Sequence, residues 1–350
     1  GVLYVEPNYV VGTSHVPSDP DTARLWGVSN DGQTGGLVDA DIDGNEAWDV
    51  VRLAPGIVIA GIDSGIDYNH PDLAANMWTN PGEIPANGID DDANGFVDDV
   101  HGWDCANDDS DPLDDNGHGT HTAGTFGMVE GNGIGAVGVA HRVQIMALKF
   151  LRASGFGLTS DAIECIEYST LMGADISNNS WGGGGFSQAL LDAIEDFGAQ
   201  GGLFVAAAGN GSSNNDLQPL YPASYTPESD NVVSVAATDH TDQLALFSNF
   251  GTASVDLGAP GVNIYSTIPT VFETLTRGIF SSHSGTSMAA AHVAGAAALY
   301  RTQFPDATPA QLKAALIQSS DKIPSLQGGK TTSGGRLNLV TLLATKPEEP

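Results

Sequence analysis

Short buried runs recur along this chain with amphipathic stretches between them. Residues 57–62, 143–150, 176–180, 203–208 and 232–236 read as short strands, and 255–257 is a weaker case. Runs of that length, bounded by glycine or polar residues, predict strands covered on both faces. Residues 160–171 and 186–199 instead repeat apolar positions at helical spacing and predict helices. Strands alternating with helices predict an α/β fold, with a doubly wound, mostly parallel central sheet and helices on both faces. A surface turn is expected at 328–335, before a last apolar segment at 337–343. No self-similarity of solenoid length interrupts the plan.

The chain has 350 residues, 41% of them hydrophobic, enough for one large core. No apolar run is long enough to span a bilayer, so no membrane partner is expected. Charge changes the picture more. There are 43 acidic residues against 12 basic ones, a net of −31. A nucleic-acid partner needs a basic footprint, and this chain lacks one. The acids gather in two glycine-bearing stretches, 39–44 and 87–115, where they suit calcium or a solvated surface. The two cysteines, Cys105 and Cys165, are too few for a disulfide scaffold or a zinc site by themselves. They are expected as free, partly buried thiols rather than a bridge.

Three runs carry the candidate chemistry. Val58-Ile59-Ala60-Gly61-Ile62-Asp63 puts an acid at the carboxyl end of a predicted strand. Asn116-Gly117-His118-Gly119-Thr120-His121 puts a histidine at a glycine-rich helix start. Gly285-Thr286-Ser287-Met288-Ala289-Ala290-Ala291-His292 puts a serine at another. A serine hydroxyl becomes a nucleophile when a histidine takes its proton and a carboxylate orients that histidine. A helix N-terminus favours negative charge developing at Ser287. Ala206-Ala207-Ala208-Gly209-Asn210 ends another strand with a side-chain amide, and Asn210 can donate to an oxyanion together with the Ser287 N–H. Taken singly, Asp63 and Asn210 suit turns and Ser287 suits a helix cap. Met288, next to Ser287, predicts sensitivity to oxidation.

The order Asp, His, Ser is that of subtilisin. Over residues 26–343 the chain resembles the subtilisin-like serine proteases, the subtilases. The resemblance implies a serine endopeptidase whose triad is Asp63, His118 and Ser287, with Asn210 in the oxyanion hole. It makes Ser180, Trp181 and Gly182 the edge that pairs with an extended substrate. It assigns Ala206, Ala207, Ala208 and Gly209, with Leu220, Tyr221 and Pro222, to the first specificity pocket, Leu220 near its base. It implies protein or peptide substrates, secretion, a monomer, and maturation through the chain's own prodomain. One departure stands out: subtilisins usually have proline immediately before the second histidine of the serine motif, and here Ala291 precedes His292. Alanine removes a backbone constraint beside the nucleophile. A peptide ligase or transpeptidase on the same scaffold is therefore the alternative activity. A silent calcium-binding module is the alternative outside enzymes.

Calcium is the expected cofactor. Asp90-Asp91-Asp92-Ala93-Asn94-Gly95 has alternating oxygen donors and a glycine at the turn, with Asp98 or Asp99 to follow; the alternative is a solvated acidic loop. The family resemblance implies a second site, with side chains from Asp72 and Asn132, carbonyls from Glu130, Ile134 and Ala136, and a carboxylate from Asp19. A third, weaker candidate is 39–44. The resemblance divides the chain into an arm over 1–20 that is similar to the end of a prodomain, a catalytic domain over 21–345 and a tail over 346–350.

Overall fold

A computed structural model describes residues 15–273 and 278–348. The prodomain-like motif at Leu3–Tyr9, most of the arm and the last two residues of the tail lie outside the described residues. The strands are β1 (Leu53–Asp63), β2 (Gly102–Asp104), β3 (Arg142–Lys149), β4 (Ile176–Asn179), β5 (Leu203–Ala207), β6 (Val232–Thr238), β7 (Leu257–Pro260), β8 (Ile264–Thr267), β9 (Phe280–His283), β10 (Asp321–Lys322) and β11 (Gly335–Arg336). The helices are α1 (Gly44–Trp48), α2 (His118–Gly127), α3 (Thr159–Leu171), α4 (Gln188–Ala199), α5 (Thr286–Gln303), α6 (Pro309–Ser319) and α7 (Leu339–Ala344).

Nine strands form one sheet in the order β10-β11-β7-β6-β5-β4-β1-β3-β2. Every pair is parallel except β10–β11 at one edge. β8 and β9 pair separately as an antiparallel hairpin. The predicted doubly wound sheet is therefore present; five predicted strands and both predicted helices fall on observed ones, and the weaker one at 255–257 meets β7 only at Leu257.

Alternation within each strand sorts side chains to two faces. Ile59, Ile145, Ile176, Val205 and Val235 join the core on the side of α2 and α5. Ala60, Ile62, Met146, Leu148, Phe204 and Ala206 join the core with Tyr168 of α3 and Leu190, Ile194 and Phe197 of α4. Helix α5 lies against β1 and β4 to β7 and is buried from Thr286 through Arg301. Its run of alanines and glycine permits that depth. A Cβ on Gly295 would come within 2.7 Å of the Val139 side chain.

The strand order reverses between β1 and β4. From β1 the chain runs to the edge strand β2 and returns to β3 on one side; from β4 it proceeds the other way through β5, β6 and β7. Parallel sheets of this kind open a crevice beyond the carboxyl ends of the strands at such a reversal. Asp63 ends β1 and Ser180 follows β4, so the two residues flank that crevice.

One expectation fails. Cys105 and Cys165 are not free thiols; they form a disulfide, with Cα atoms 6.1 Å apart, and both are buried. The reason is tertiary. β2 adds to the sheet edge beside β3, which carries Cys105 under α3, where Cys165 faces inward. Trp103 strengthens the same junction, donating to Glu164 of α3. Replacing both cysteines by serine removes a cross-link closing a loop of 60 residues. Loop-closure entropy sets the loss at roughly 4 kcal/mol. Urea unfolding of the inhibited enzyme is expected to show it, and identical midpoints for the two forms would contradict it.

Candidate active site

Asp63 is fully buried, and its Oδ1 accepts from the Ser64 N–H at 2.7 Å and from His118 Nδ1 at 2.7 Å. That contact puts the imidazole proton on Nδ1 and leaves Nε2 to accept another. The position of His118 comes from how α2 begins. Asp114 Oδ1 accepts from the Asn116 and Gly117 N–H groups and the Ser64 hydroxyl, while Oδ2 accepts from the Thr120 N–H and hydroxyl. Burial pushes the Asp114 pKa upward against these donors. Gly117 adopts φ +100°, and a Cβ on Gly119 would strike the Gly65 carbonyl at 2.1 Å. The glycines flanking His118 thus let the helix start meet the end of β1.

Lys149 fastens the same corner. Its buried ammonium donates to the carbonyls of Ser64 and Leu151 and to Asp115 Oδ1, at 2.7 to 2.9 Å. The end of β3, the turn after Asp63 and the loop before His118 are held by one cation.

Ser287 sits in the first turn of α5. Its Oγ donates to the Ser180 carbonyl at 3.1 Å, and Ser180 Oγ donates to the Ser287 carbonyl at 2.9 Å. Asn210 Oδ1 accepts from the Thr286 N–H at 2.9 Å and from its hydroxyl at 3.0 Å. With Oδ1 occupied by two donors, the Asn210 NH₂ is the end left for the cleft. His118, Asn210, Ser287, Ser180, Trp181 and Gly182 line one cleft of about 640 Å³.

An adjoining pocket of about 570 Å³ shares Ser180, Trp181, Gly182, Asn210 and Ser287 and adds Gly209 and Leu220. Leu220 packs between Gly209 and Gly182, where added Cβ atoms would lie 2.4 and 3.1 Å from it. Gly209 has φ +107°, so glycine suits it on both counts. Ala208 requires a correction. It is fully buried in a cluster with Ala236 and Val255, and of the expected run Ala206–Ala208 it is Ala207 that lines the pocket. Strand-like alternation turns adjacent residues to opposite sides. Trp181 stands edge-on to Phe150 at 4.8 Å and walls both cavities. Met288 is also turned away, buried against Trp26 and Ile264, which shields the sulfur expected to be oxidised.

The subtilase family model matches residues 54–338. The chain belongs to the subtilase family. It is 36% identical over 297 residues to thermitase of Thermoactinomyces vulgaris, covering 85% of this chain and 91% of that one. It is 35% identical over 337 residues to a thermophilic serine proteinase of Bacillus sp. (strain AK1), covering 96% and 71%. Among solved structures, a cold-adapted subtilisin-like serine proteinase matches at 31% identity and TM-score 0.64, covering 81% of this chain and 89% of that one. A protease from Pseudoalteromonas arctica PAMC 21717 matches at 28% identity and TM-score 0.72, covering 94% and 98%. This subtilase is a subtilisin-type serine endopeptidase.

Two acidic regions of the subtilase bear on calcium. Asp72 is buried; its Oδ1 accepts from Asn132 Nδ2 at 2.7 Å, and its Oδ2 has no hydrogen-bond partner. Burial pushes its pKa up to about 7. The loop from Glu130 through Ile134 to Ala136 curls around it, with Gly131, Gly133 and Gly135 all at positive φ. Asp19 Oδ2 and Oδ1 accept from the N–H groups of Gly131 and Gly133. An orphaned carboxylate oxygen, a second carboxylate and a curled backbone fit a hard cation.

In the other region, Asp90 and Asp92 converge with Glu83, a residue that the spacing of the motif did not indicate. Asn94 stays in the same turn, its N–H donating to both aspartates. Asp98 turns to the start of the loop, whereas Asp99 stays beside Asp92, the two sharing the amide donors of Asn80 and Asn94. Asp98 accepts from the N–H groups of Asn87 and Gly88, and buried Asp99 accepts from Asn80, Asn94 and the Tyr168 hydroxyl. In the third stretch, Asp41 accepts from the N–H groups of Asn30 and Asp43, and burial pushes its pKa up to about 7.

The electrostatics of His118 yield a measurable consequence. Burial pulls its pKa down, but the charge and hydrogen bond of Asp63, helped by Asp114, outweigh it, and the net shift is upward. With His118 in the role of proton acceptor proposed below, it must start neutral, so kcat/KM rises with pH through that raised pKa. The acid limb is therefore expected above the ordinary 6.5. Asp63→Asn is expected to move the limb downward and lower kcat by about 10⁴. A limb that stays in place in Asp63→Asn would contradict this assignment.

Proposed function

We propose that Ser287 is the nucleophile, His118 the general base and then acid, Asp63 the orienting carboxylate, and Asn210 an oxyanion donor. The observation that carries the reading is the 2.7 Å Asp63–His118 contact in a cleft also lined by Ser287 and Asn210. Ser287 Oγ attacks the scissile carbonyl carbon as its proton passes to His118 Nε2. The tetrahedral oxyanion is held by Asn210 Nδ2–H and the Ser287 N–H. The C–N bond then breaks, and the leaving amine takes the proton from His118. Water repeats the sequence on the acyl-enzyme and releases the acid. The substrate backbone pairs with Ser180, Trp181 and Gly182. Leu220 narrows the first pocket, and exposed Phe156 and Leu158 favour apolar residues in the cleft beside it.

Calcium ions at Asp72 with Asp19, Asn132 and the carbonyls of Glu130, Ile134 and Ala136, and at Asp90 and Asp92 with Glu83, belong to the same reading. They neutralise clustered carboxylates and fix loops; they take no part in bond breaking. Secretion, monomeric action on protein substrates and maturation through a prodomain complete it. The disulfide and the acidic surface suit an oxidising, extracellular setting. Among the described residues no helix is long and apolar enough to cross a membrane.

A serine-directed fluorophosphonate is expected to label the wild-type chain, and Ser287→Ala to abolish both label and peptidase activity. Labelling that persists in Ser287→Ala would refute the assignment. Asn210→Leu is expected to keep the label and lower kcat by roughly 10²–10³-fold, a family expectation because subtilisin's own asparagine is the source of that range.

Removing calcium with a chelator from inhibitor-blocked enzyme is expected to lower the unfolding temperature. One site held at a hundred times its Kd contributes about 2.7 kcal/mol. An unchanged unfolding temperature, with no calcium found by elemental analysis, would end the calcium reading.

A further inference from the structure

A second convergence of ligand-type side chains lies outside the cleft. His15, Glu130 and His141 each bring one donor atom within 4.8 Å of the other two. His15 Nε2 contacts Glu130 Oε1, and His141 Nδ1 lies 3.2 Å from Glu130 Oε2. The His141 ring is wholly buried, edge-on to Trp48 with ring centroids 4.1 Å apart. Among the described residues, His141 Nδ1 and the buried His15 Nε2 face only the Glu130 carboxylate, and His141 Nε2 has no hydrogen-bond partner. The surrounding frame is fixed. The His15 N–H donates to Asp49 Oδ1 at 2.6 Å, the His141 N–H to the Arg52 carbonyl at 2.9 Å, and Trp48 Nε1 to the Val139 carbonyl at 2.9 Å.

Two imidazoles and one carboxylate are a donor set for borderline transition ions, whereas calcium takes oxygen ligands. Tetrahedral zinc with bonds of about 2.0–2.1 Å places its ligands roughly 3.3 Å apart. The His141–Glu130 spacing matches that edge, while His15 Nε2 sits closer to Glu130 Oε1 and has to draw back to admit an ion between them. We propose that His15, Glu130 and His141 form a metal site of zinc type that fastens the segment around residue 15 to the start of the loop over 130–136. Three protein ligands leave a fourth position for water. Arg52 is the resident competitor: its Nε lies 3.6 Å from Glu130 Oε2, and its side chain is partly exposed. An ion here supplants that guanidinium as the counter-charge of Glu130. The site is distinct from the calcium position at Asp72, because it uses the Glu130 carboxylate and not its carbonyl.

The test uses the full chain carrying Ser287→Ala, to prevent self-digestion, saturated with calcium and stripped of transition metals on a chelating resin. Zinc titration by calorimetry is expected to show one tight equivalent. His15→Gln and Glu130→Gln are each expected to weaken it at least about tenfold, the scale on which even outer partners of a metal act. Arg52→Gln is expected to tighten it. Cobalt(II) in place of zinc is expected to give tetrahedral absorption bands that His15→Gln loses. His15→Gln alters a partly exposed position and is checked for folding by its calcium-dependent unfolding midpoint. His118→Ala serves as a control expected to leave the zinc equivalent in place. Absence of zinc uptake, uptake unchanged in His15→Gln, or uptake lost in His118→Ala would overturn the proposal.

Discussion

The site depends on how closely one alanine-rich helix approaches the sheet. Ser287 starts α5, and α5 lies against β1 and β4 to β7 with almost no exposed surface. A bulkier sequence would hold that helix farther out and carry Ser287 away from Asp63 and His118. The same requirement recurs where α2 meets β1, since Gly119 abuts the Gly65 carbonyl. Small residues set the distances between backbones, and those distances set the reach of the functional side chains. Ala291 belongs to this layer. It is fully buried within α5, so its effect on the nucleophile passes through helix placement and not through contact with substrate.

Upon that scaffold the polar interior works as a set of shared clamps. Asp114, Ser64 and Lys149 tie three chain segments to the neighbourhood of Asp63, and Thr286 fixes which end of the Asn210 amide faces the cleft. A buried carboxylate or ammonium without partners is costly, so each is surrounded by donors or acceptors with little freedom left. That rigidity supports catalysis, because donors aimed in advance at a developing oxyanion need no reorganisation.

What could be read from the sequence divides along local and tertiary lines. The central strands and the helices over 160–171 and 186–199 were legible because burial periodicity is local. The candidate groups Asp63, His118, Asn210 and Ser287 could be picked out because each sits in a motif whose glycines answer to a local backbone need, as Gly117 does at φ +100°. β2, β8, β9, β10 and β11 are two to four residues long, and several carry polar side chains, so no periodicity marks them. The Cys105–Cys165 bridge joins residues 60 apart that meet only after β2 takes the sheet edge. Glu83 lies outside the Asp90 motif and reaches it across a loop. Lys149 and Asp114 show no anomaly in sequence; their significance lies in which segments their heads connect. The run Ala206–Ala208 was assigned to the pocket as a whole although Ala207 alone of the three lines it, because lining depends on which way a residue faces at the end of β5 and three alanines in a row conceal that parity.

The strongly acidic composition has a structural counterpart in these interior acids. Asp63, Asp72, Asp99, Asp114 and Asp256 are buried, and most of them anchor loops rather than pair with cations. Most of the 43 acidic residues are solvated, but the buried ones have to find compensation in backbone N–H groups, hydroxyls, the few basic side chains or bound cations. The loop over 130–136 shows how these combine. Asp19 is satisfied by two N–H groups, Asp72 keeps one oxygen without a donor, and Glu130 faces two histidines and an arginine. In the proposed calcium reading, an ion is the missing partner of the free Asp72 oxygen, and loop order is tied to its occupancy. That loop contacts the chain near residue 21 through the Asp21 N–H, while the catalytic corner is braced independently by Lys149 and Asp114. Ion loss therefore acts first on the resistance of the periphery to unfolding, and the geometry around Asp63 and His118 is retained until the peripheral loops give way.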